Sequence, residues 1–191
     1  MQKILTVSRN DLPAEWVENG AKIKIDTSSL REVLQKISPV WMNRPEAEAD
    51  PSHKQLIPYA VVRYKNSIAC YKRSGAEKRL HDLYSIGVGG HVDIEDDQGD
   101  IVDTLLLGLG RELSEEFADF SKEHAEISFL GVLNSEDTEV SSVHLGMVFE
   151  IQTTKKLLPD SELTGFEWAD PKILKSRKLE NWSELALAMC E

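Results

Sequence analysis

The chain has 191 residues, 41% hydrophobic and 29% charged, which is the composition of a globular protein with one domain's worth of core. Its 22 basic and 33 acidic side chains give a formal net charge of -11, which excludes a nucleic-acid binder working through a basic face. No apolar run approaches the ~18 residues of a membrane helix. The start MQKILTVSRNDLP lacks the charged lead, apolar stretch and cleavage site of a secretory signal, and Cys70 and Cys190 are too few for a disulfide framework. The expectation is a cytoplasmic protein with reduced thiols. Phosphorylated small molecules stay within reach of so acidic a chain where divalent cations stand between its carboxylates and the substrate.

In chain order, Lys3–Val7 reads as a short strand, residues 21–25 alternate as a second strand would, and Leu30, Val33, Leu34 and Ile37 have helical spacing. Asp50-Pro51-Ser52 is a turn signal. A hairpin follows, with arms over 57–64 and 68–73 around Lys65-Asn66-Ser67. A basic stretch from Ser74 to His81 leads to a strand over 84–92 that runs into Gly89-Gly90, then to an acid-rich loop over 93–100. Val102, Leu105, Leu106, Leu109, Leu113 and Phe117 form the apolar stripe of a helix, with Asp100 or Asp103 placed to cap its start. Strands are predicted over 127–133, 143–151 and 165–168, and a closing helix over 182–189 beginning at Asn181 or earlier.

The chemistry concentrates in Arg111-Glu112-Leu113-Ser114-Glu115-Glu116. At about 100° per residue, Glu112, Glu115 and Glu116 share one side of the helix, Glu116 bordering the stripe. Such crowding costs a few tenths of a kcal/mol per pair unless a cation neutralises it, and hard ions such as Mg2+ or Mn2+ suit an all-oxygen site. Arg111 is placed to hold a carboxylate rotamer. The bland alternative, a wet helix face, is weakened by the glycine pair before the helix and by Gly108 and Gly110 within it. Each helical glycine costs ~1 kcal/mol against alanine, which predicts that something lies against that turn.

These residues resemble the Nudix box, whose pattern is glycine, five residues, glutamate, seven residues, then Arg-Glu-apolar-any-Glu-Glu-any-Gly-apolar. Gly90 matches the glycine and residues 111–116 the core. Seven residues back from Arg111 stands Asp103 in place of the first glutamate, with twelve residues, His91 to Val102, where the family has five. Ala118 and Asp119 replace the closing glycine and apolar residue. The hairpin and the segment Glu167-Trp168-Ala169 are similar to the family's flanking strands.

The resemblance implies an α/β fold, an alpha/beta/alpha sandwich around a mixed sheet, with residues 1–55 as an N-terminal addition packed on the domain formed by 56–191. It implies Mg2+ or Mn2+ bound by Glu112, Glu115, Glu116 and the Gly90 carbonyl, with Arg111 orienting the carboxylates. The implied reaction is hydrolysis of a diphosphate bond in a nucleoside diphosphate linked to another group. Arg63 and Arg73 are the leading candidates for substrate contact, with Lys72, Lys78 and Arg79 beside them. The general base falls to Glu115 or Glu116, or to Glu136, Asp137 or Glu139 in a loop between strands. His91 and His144 are further candidates for the pocket. Prenyl diphosphate isomerisation is disfavoured because no cysteine stands in a suitable context. A non-catalytic nucleotide-binding sensor module is the alternative of a different class, and family members that dimerise make a homodimer a further expectation.

Overall fold

The structure, a computed structural model, describes residues 2–73 and 83–190. The basic stretch from Ser74 to His81, with Lys78 and Arg79, lies outside the described residues. Among those described, the strands are β1 (Lys3–Ser8), β2 (Lys22–Lys24), β3 (Val40–Asn43), β4 (His53–Tyr64), β5 (Ser67–Lys72), β6 (Tyr84–Ser85), β7 (Gly87–Gly89), β8 (Ala125–Leu133), β9 (His144–Thr153) and β10 (Glu167–Ala169). The helices are α1 (Thr27–Leu34), α2 (Arg44–Glu48), α3 (Ile101–Glu116), α4 (Glu139–Ser142), α5 (Pro171–Leu174) and α6 (Asn181–Met189).

The centre is a parallel pair. β4 and β9 run together from Gln55 opposite His144 to Tyr64 opposite Thr153. Strands buried on both faces need continuous apolar sequence, and both supply it. Outward from this pair the order is β10-β5-β4-β9-β8-β2, with β7 also pairing with β4, β6 with β5, and β1 joining β4 to β3. The N-terminal residues therefore supply strands to this sheet, and the expected division at residue 55 falls inside the unbroken strand β4.

Alternation along β4 sorts the core into two layers. Leu56, Ala60 and Val62 face one way, packed with Leu105, Leu109, Leu113 and Phe117 around α3 and with Leu30 and Leu34 of α1. Tyr59 and Val61 face the other way, onto Leu174 of α5 and Ala186, Leu187 and Met189 of α6. The result is the expected sandwich of helices on both faces of a mixed sheet. Asp100 caps α3 by accepting from the Asp103 amide at 3.0 Å, and Phe117, fully buried, ends it with an extended backbone. Glu180 caps α6, accepting from the amides of Trp182 and Ser183. The short elements β3, α2, α4 and α5 escape sequence reading because four or five residues hold too little periodicity to register.

β8 is bulged between Phe129 and Gly131. Gly131 sits at φ 142°, and a Cβ there would stand 2.0 Å from the carbonyl oxygen of Ile23 on β2. Gly131→Ala is therefore expected to lower the unfolding free energy in urea by about 2–3 kcal/mol. Gly99→Ala, at φ 78° but in open space, should cost only about 1 kcal/mol.

Candidate active site

β7 brings the glycine pair against α3. A Cβ on Gly89 would lie 2.2 Å from the Pro58 carbonyl oxygen, and one on Gly90 would lie 2.3 Å from the carboxyl carbon of Glu112. The Glu112 carboxylate thus rests on bare backbone, an approach only glycine allows. Next to it, Arg111 places all five of its N–H donors. Nε donates to Asp96 Oδ1 at 3.3 Å, and Nη2 donates to Asp96 Oδ2 at 2.9 Å and to the His91 carbonyl at 2.8 Å. Nη1 donates to Glu112 Oε1 at 2.8 Å and to Glu115 Oε1 at 3.3 Å. These bonds hold the guanidinium firmly charged. Arg111 has no donor left for a substrate and acts by holding its neighbours in place.

The three glutamates have different surroundings. Burial pushes the Glu112 carboxyl up, against the pull of Arg111. The Glu115 side chain is 59% exposed and meets Arg111 at 3.3 Å. Glu116 is pushed up first by burial and then by repulsion from Glu162, Glu112, Asp160 and Glu115, and its Oε2 is sealed from solvent with no hydrogen-bond partner. Two of those neighbours escape the sequence reading. Asp160 and Glu162 lie in the β9–β10 connection, which is tied to the end of α3 by Asp160 N donating to Glu116 O at 2.8 Å and Ala118 N donating to Leu158 O at 3.2 Å. Only that long-range strap, invisible as a local motif, brings them here.

The donor set is all oxygen and hard, and an orphaned buried carboxylate oxygen is what a cation would relieve. The residues therefore fit a Mg2+ or Mn2+ ion. Among the described residues no three acids or imidazoles already converge on one point, and Arg111 spans Glu112 and Glu115.

No protein-family model matches the chain. It is 32% identical to Tm1382, provisionally a Nudix hydrolase, whose crystal structure superposes with a TM-score of 0.83 over 98% of this chain and 97% of that one. The chain belongs to the Nudix hydrolase family. It is also 28% identical over 201 residues to protein YmaB of Bacillus subtilis, covering 100% of this chain and 98% of that protein. The Nudix domain of NrtR from Shewanella oneidensis, complexed with ADP ribose, shares the fold at a TM-score of 0.56 and 17% identity, over 78% of this chain and 97% of that one.

The structure corrects the register of the Nudix box. Asp103 does not take the place of the first glutamate: it pairs with Arg31 on α1, outside the site. Asp96 stands there instead, with five residues between it and Gly90, 5% exposed and gripping Arg111 through both oxygens. The surplus seven residues lie between Asp96 and Arg111, where fourteen replace the family's seven. Gly108 has its predicted reason, since a Cβ there would meet Val92 at 3.1 Å and Asp96 at 3.2 Å, and Gly110 faces the Lys122 side chain.

On the opposite face of β7 lies a cavity of about 460 Å³, bounded by Tyr59, Tyr71, Trp182, Arg73, His91 and His144. Gly89 and His91 line it while Gly90, between them, touches Glu112, so the strand end is shared by cavity and carboxylates. Arg73 reaches this cavity, and its Nε has no partner among the described residues. Arg63 does not reach it: it pairs with Glu150 and donates to the Cys190 carbonyl at 3.3 Å. Lys72 is exposed, with its ammonium over the Tyr84 ring.

Of the loop acids, Glu136 is committed elsewhere. Burial works to raise it, but bonds from Lys54, Asn134 and Arg9 outweigh that and hold it below the ordinary range. Asp137 lines the cavity, and Glu139 opens α4. Both cysteines are free thiols, Cys70 buried. His91 Nε2 lies 2.9 Å from Gln55 Oε1 and 3.4 Å from His144 Nε2. Burial pushes His91 down to about 4 and lowers His144 as well.

Asp96→Asn, which strips Arg111 of its buried counter-charge, should cost about 2 kcal/mol in denaturant unfolding, whereas Asp103→Asn, at an exposed pair, should cost less than about 1 kcal/mol. As pH falls from 6.5 towards 4, the unfolded His91 takes up a proton that the folded one refuses, so stability is lost across that window. His91→Gln should flatten the slope of unfolding free energy against pH there.

Proposed function

We propose that this protein hydrolyses a phosphoric anhydride bond in a nucleoside diphosphate linked to another moiety. The observation that carries the reading is the sealed, partnerless Oε2 of Glu116 beside Glu112, which itself lies against the bare backbone of Gly90. Glu112, Glu115, Glu116 and the Gly90 carbonyl would hold Mg2+ or Mn2+. Such an ion supplies Lewis acidity, neutralising phosphate oxygens and acidifying a water. Arg111 fixes the rotamers of Glu112 and Glu115 and ties them to the Asp96 loop. Glu115, the most exposed of the three, is the carboxylate best placed to take a proton from the attacking water. Arg73 offers an unused N–H to phosphate oxygens from the cavity side. The cavity itself, walled by Tyr59, Tyr71 and Trp182, receives the organic part of the substrate. The ADP ribose bound by the NrtR Nudix domain accords with a ligand of this class.

A metal-free binding module is the second reading, favoured by the hold of Arg111 on two of the three glutamates. Release of phosphate or nucleotide from nucleotide sugars, dinucleoside polyphosphates, dinucleotide cofactors and nucleoside triphosphates separates the two. Turnover with Mg2+ or Mn2+ should vanish with a chelator and fall at least about 100-fold in Glu115→Gln and Glu116→Gln. Nucleotide binding without any turnover would establish the module instead.

A further inference from the structure

Among the described residues, the most deeply buried charge is not at the carboxylate site. Lys54, on β4, is 0% exposed, and its ammonium meets Glu136 Oε1 at 2.7 Å, Asn134 Oδ1 at 2.8 Å and the His144 carbonyl at 3.3 Å. Three donors thus meet three acceptors. The other oxygen of Glu136 accepts from Arg9 at 3.2 Å, and Arg9 also donates to the Val17 carbonyl at 3.2 Å and reaches that of Ser142 at 3.5 Å. Asn134 Nδ2 donates to the Glu18 carbonyl at 3.0 Å. Asn19 accepts from the Glu136 amide at 2.8 Å and donates to Asp137 Oδ1 at 3.0 Å, while Asn181 at the start of α6 donates to Asp137 Oδ2 at 3.1 Å.

The network joins three otherwise separate pieces: the segment 9–19, the connection from β8 to β9, and α6. Burying an ammonium is costly, and a well-packed apolar replacement is often as stable, so stability alone is a poor reason to keep one here. What these bonds do fix is position. Ser135, Asp137, Thr138, Val140 and Ser141, all in the clamped connection, form one wall of the cavity facing Tyr59 and Trp182. Lys54, Glu136 and Arg9 themselves do not line it.

We propose that Lys54, Glu136 and Arg9 are positioning residues that set the selectivity of the cavity, the N-terminal segment thereby determining which organic group the site accepts without touching it. The inference rests on the cavity being the seat of that group. A wall pinned through charged bonds at two oxygens of Glu136 cannot shift to fit a ligand of another shape, whereas an apolar contact there permits sliding.

The test compares wild type with the double variant Lys54→Met/Glu136→Leu, which removes both charges and keeps the volume filled, and with Glu136→Gln, which retains an acceptor. Folding is verified by cooperative urea unfolding. Binding of AMP, GMP, CMP and UMP is read by tryptophan fluorescence without metal, and KM and kcat are read on whichever substrate the hydrolysis panel identifies. Wild type should discriminate among the four at least tenfold. The folded double variant should discriminate less than threefold, with KM raised at least tenfold and kcat within threefold, and Glu136→Gln should stay near wild type. A folded double variant that discriminates as wild type does overturns the clamp alone. Wild type that binds none of the four overturns the cavity reading beneath it.

Discussion

A guanidinium with five fixed donors and no freedom is the constraint on which the site is built. Arg111 reaches forward to two glutamates of its own helix, sideways to the backbone of His91 and back to Asp96. Lysine offers three donors without a planar fork and could not span these partners at once. The consequence is that helix α3, the acidic loop and the glycine strand end are tied together through one side chain. The carboxylates of Glu112 and Glu115 are prevented from splaying apart, and Glu116, beyond the reach of Arg111, is left with the unmet oxygen.

Around that body the sheet separates two tasks. The end of β7 alternates its faces, so Gly90 meets the carboxylates while Gly89 and His91 border the aromatic cavity. On the proposed function, phosphate chemistry and recognition of an organic group would sit within one strand's thickness of each other. The carboxylate side is anionic and suited to cations; the cavity side carries aromatic rings, two neutral imidazoles and Arg73 together with the carboxylates of Asp137 and Glu180. The overall charge of -11 is compatible with a phosphorylated ligand only because cations and Arg73 can offset it locally.

Much of this was legible in the sequence wherever the signal was periodic or local. The hairpin, the central strands and α3, for which the structure selects Asp100 over Asp103 as the cap, carry their meaning in adjacent residues, and the structure bears them out. What could not be read depends on distance along the chain. Asp160 and Glu162 come to Glu116 through a strap more than forty residues away, and Lys54 meets Glu136 across eighty-two positions. Arg63 and Arg73 looked alike in sequence, but Arg73, just past the end of β5, lines the cavity, whereas Arg63, near the end of β4, is bound to Glu150. Asp103 and Asp96 were likewise separable only by asking which of them Arg111 holds.

The seven surplus residues show why so large a departure from the family spacing leaves the site intact. Of the fourteen residues between Asp96 and Arg111, the first four form a loop and the other ten extend α3. The stripe from Val102 to Phe117 is continuous on the core, and the loop returns Asp96 to Arg111. α3 begins at Ile101, ten residues before Arg111, and its first turn needs a neighbour that a minimal domain would lack. α1 provides it: Leu30 and Leu34 pack into the same core while Arg31 pairs with both Asp100 and Asp103. The lengthened box and the N-terminal segment are thus complementary additions, the one creating an exposed helix start and the other covering it, just as Arg9 and Asn19 cover the far wall of the cavity.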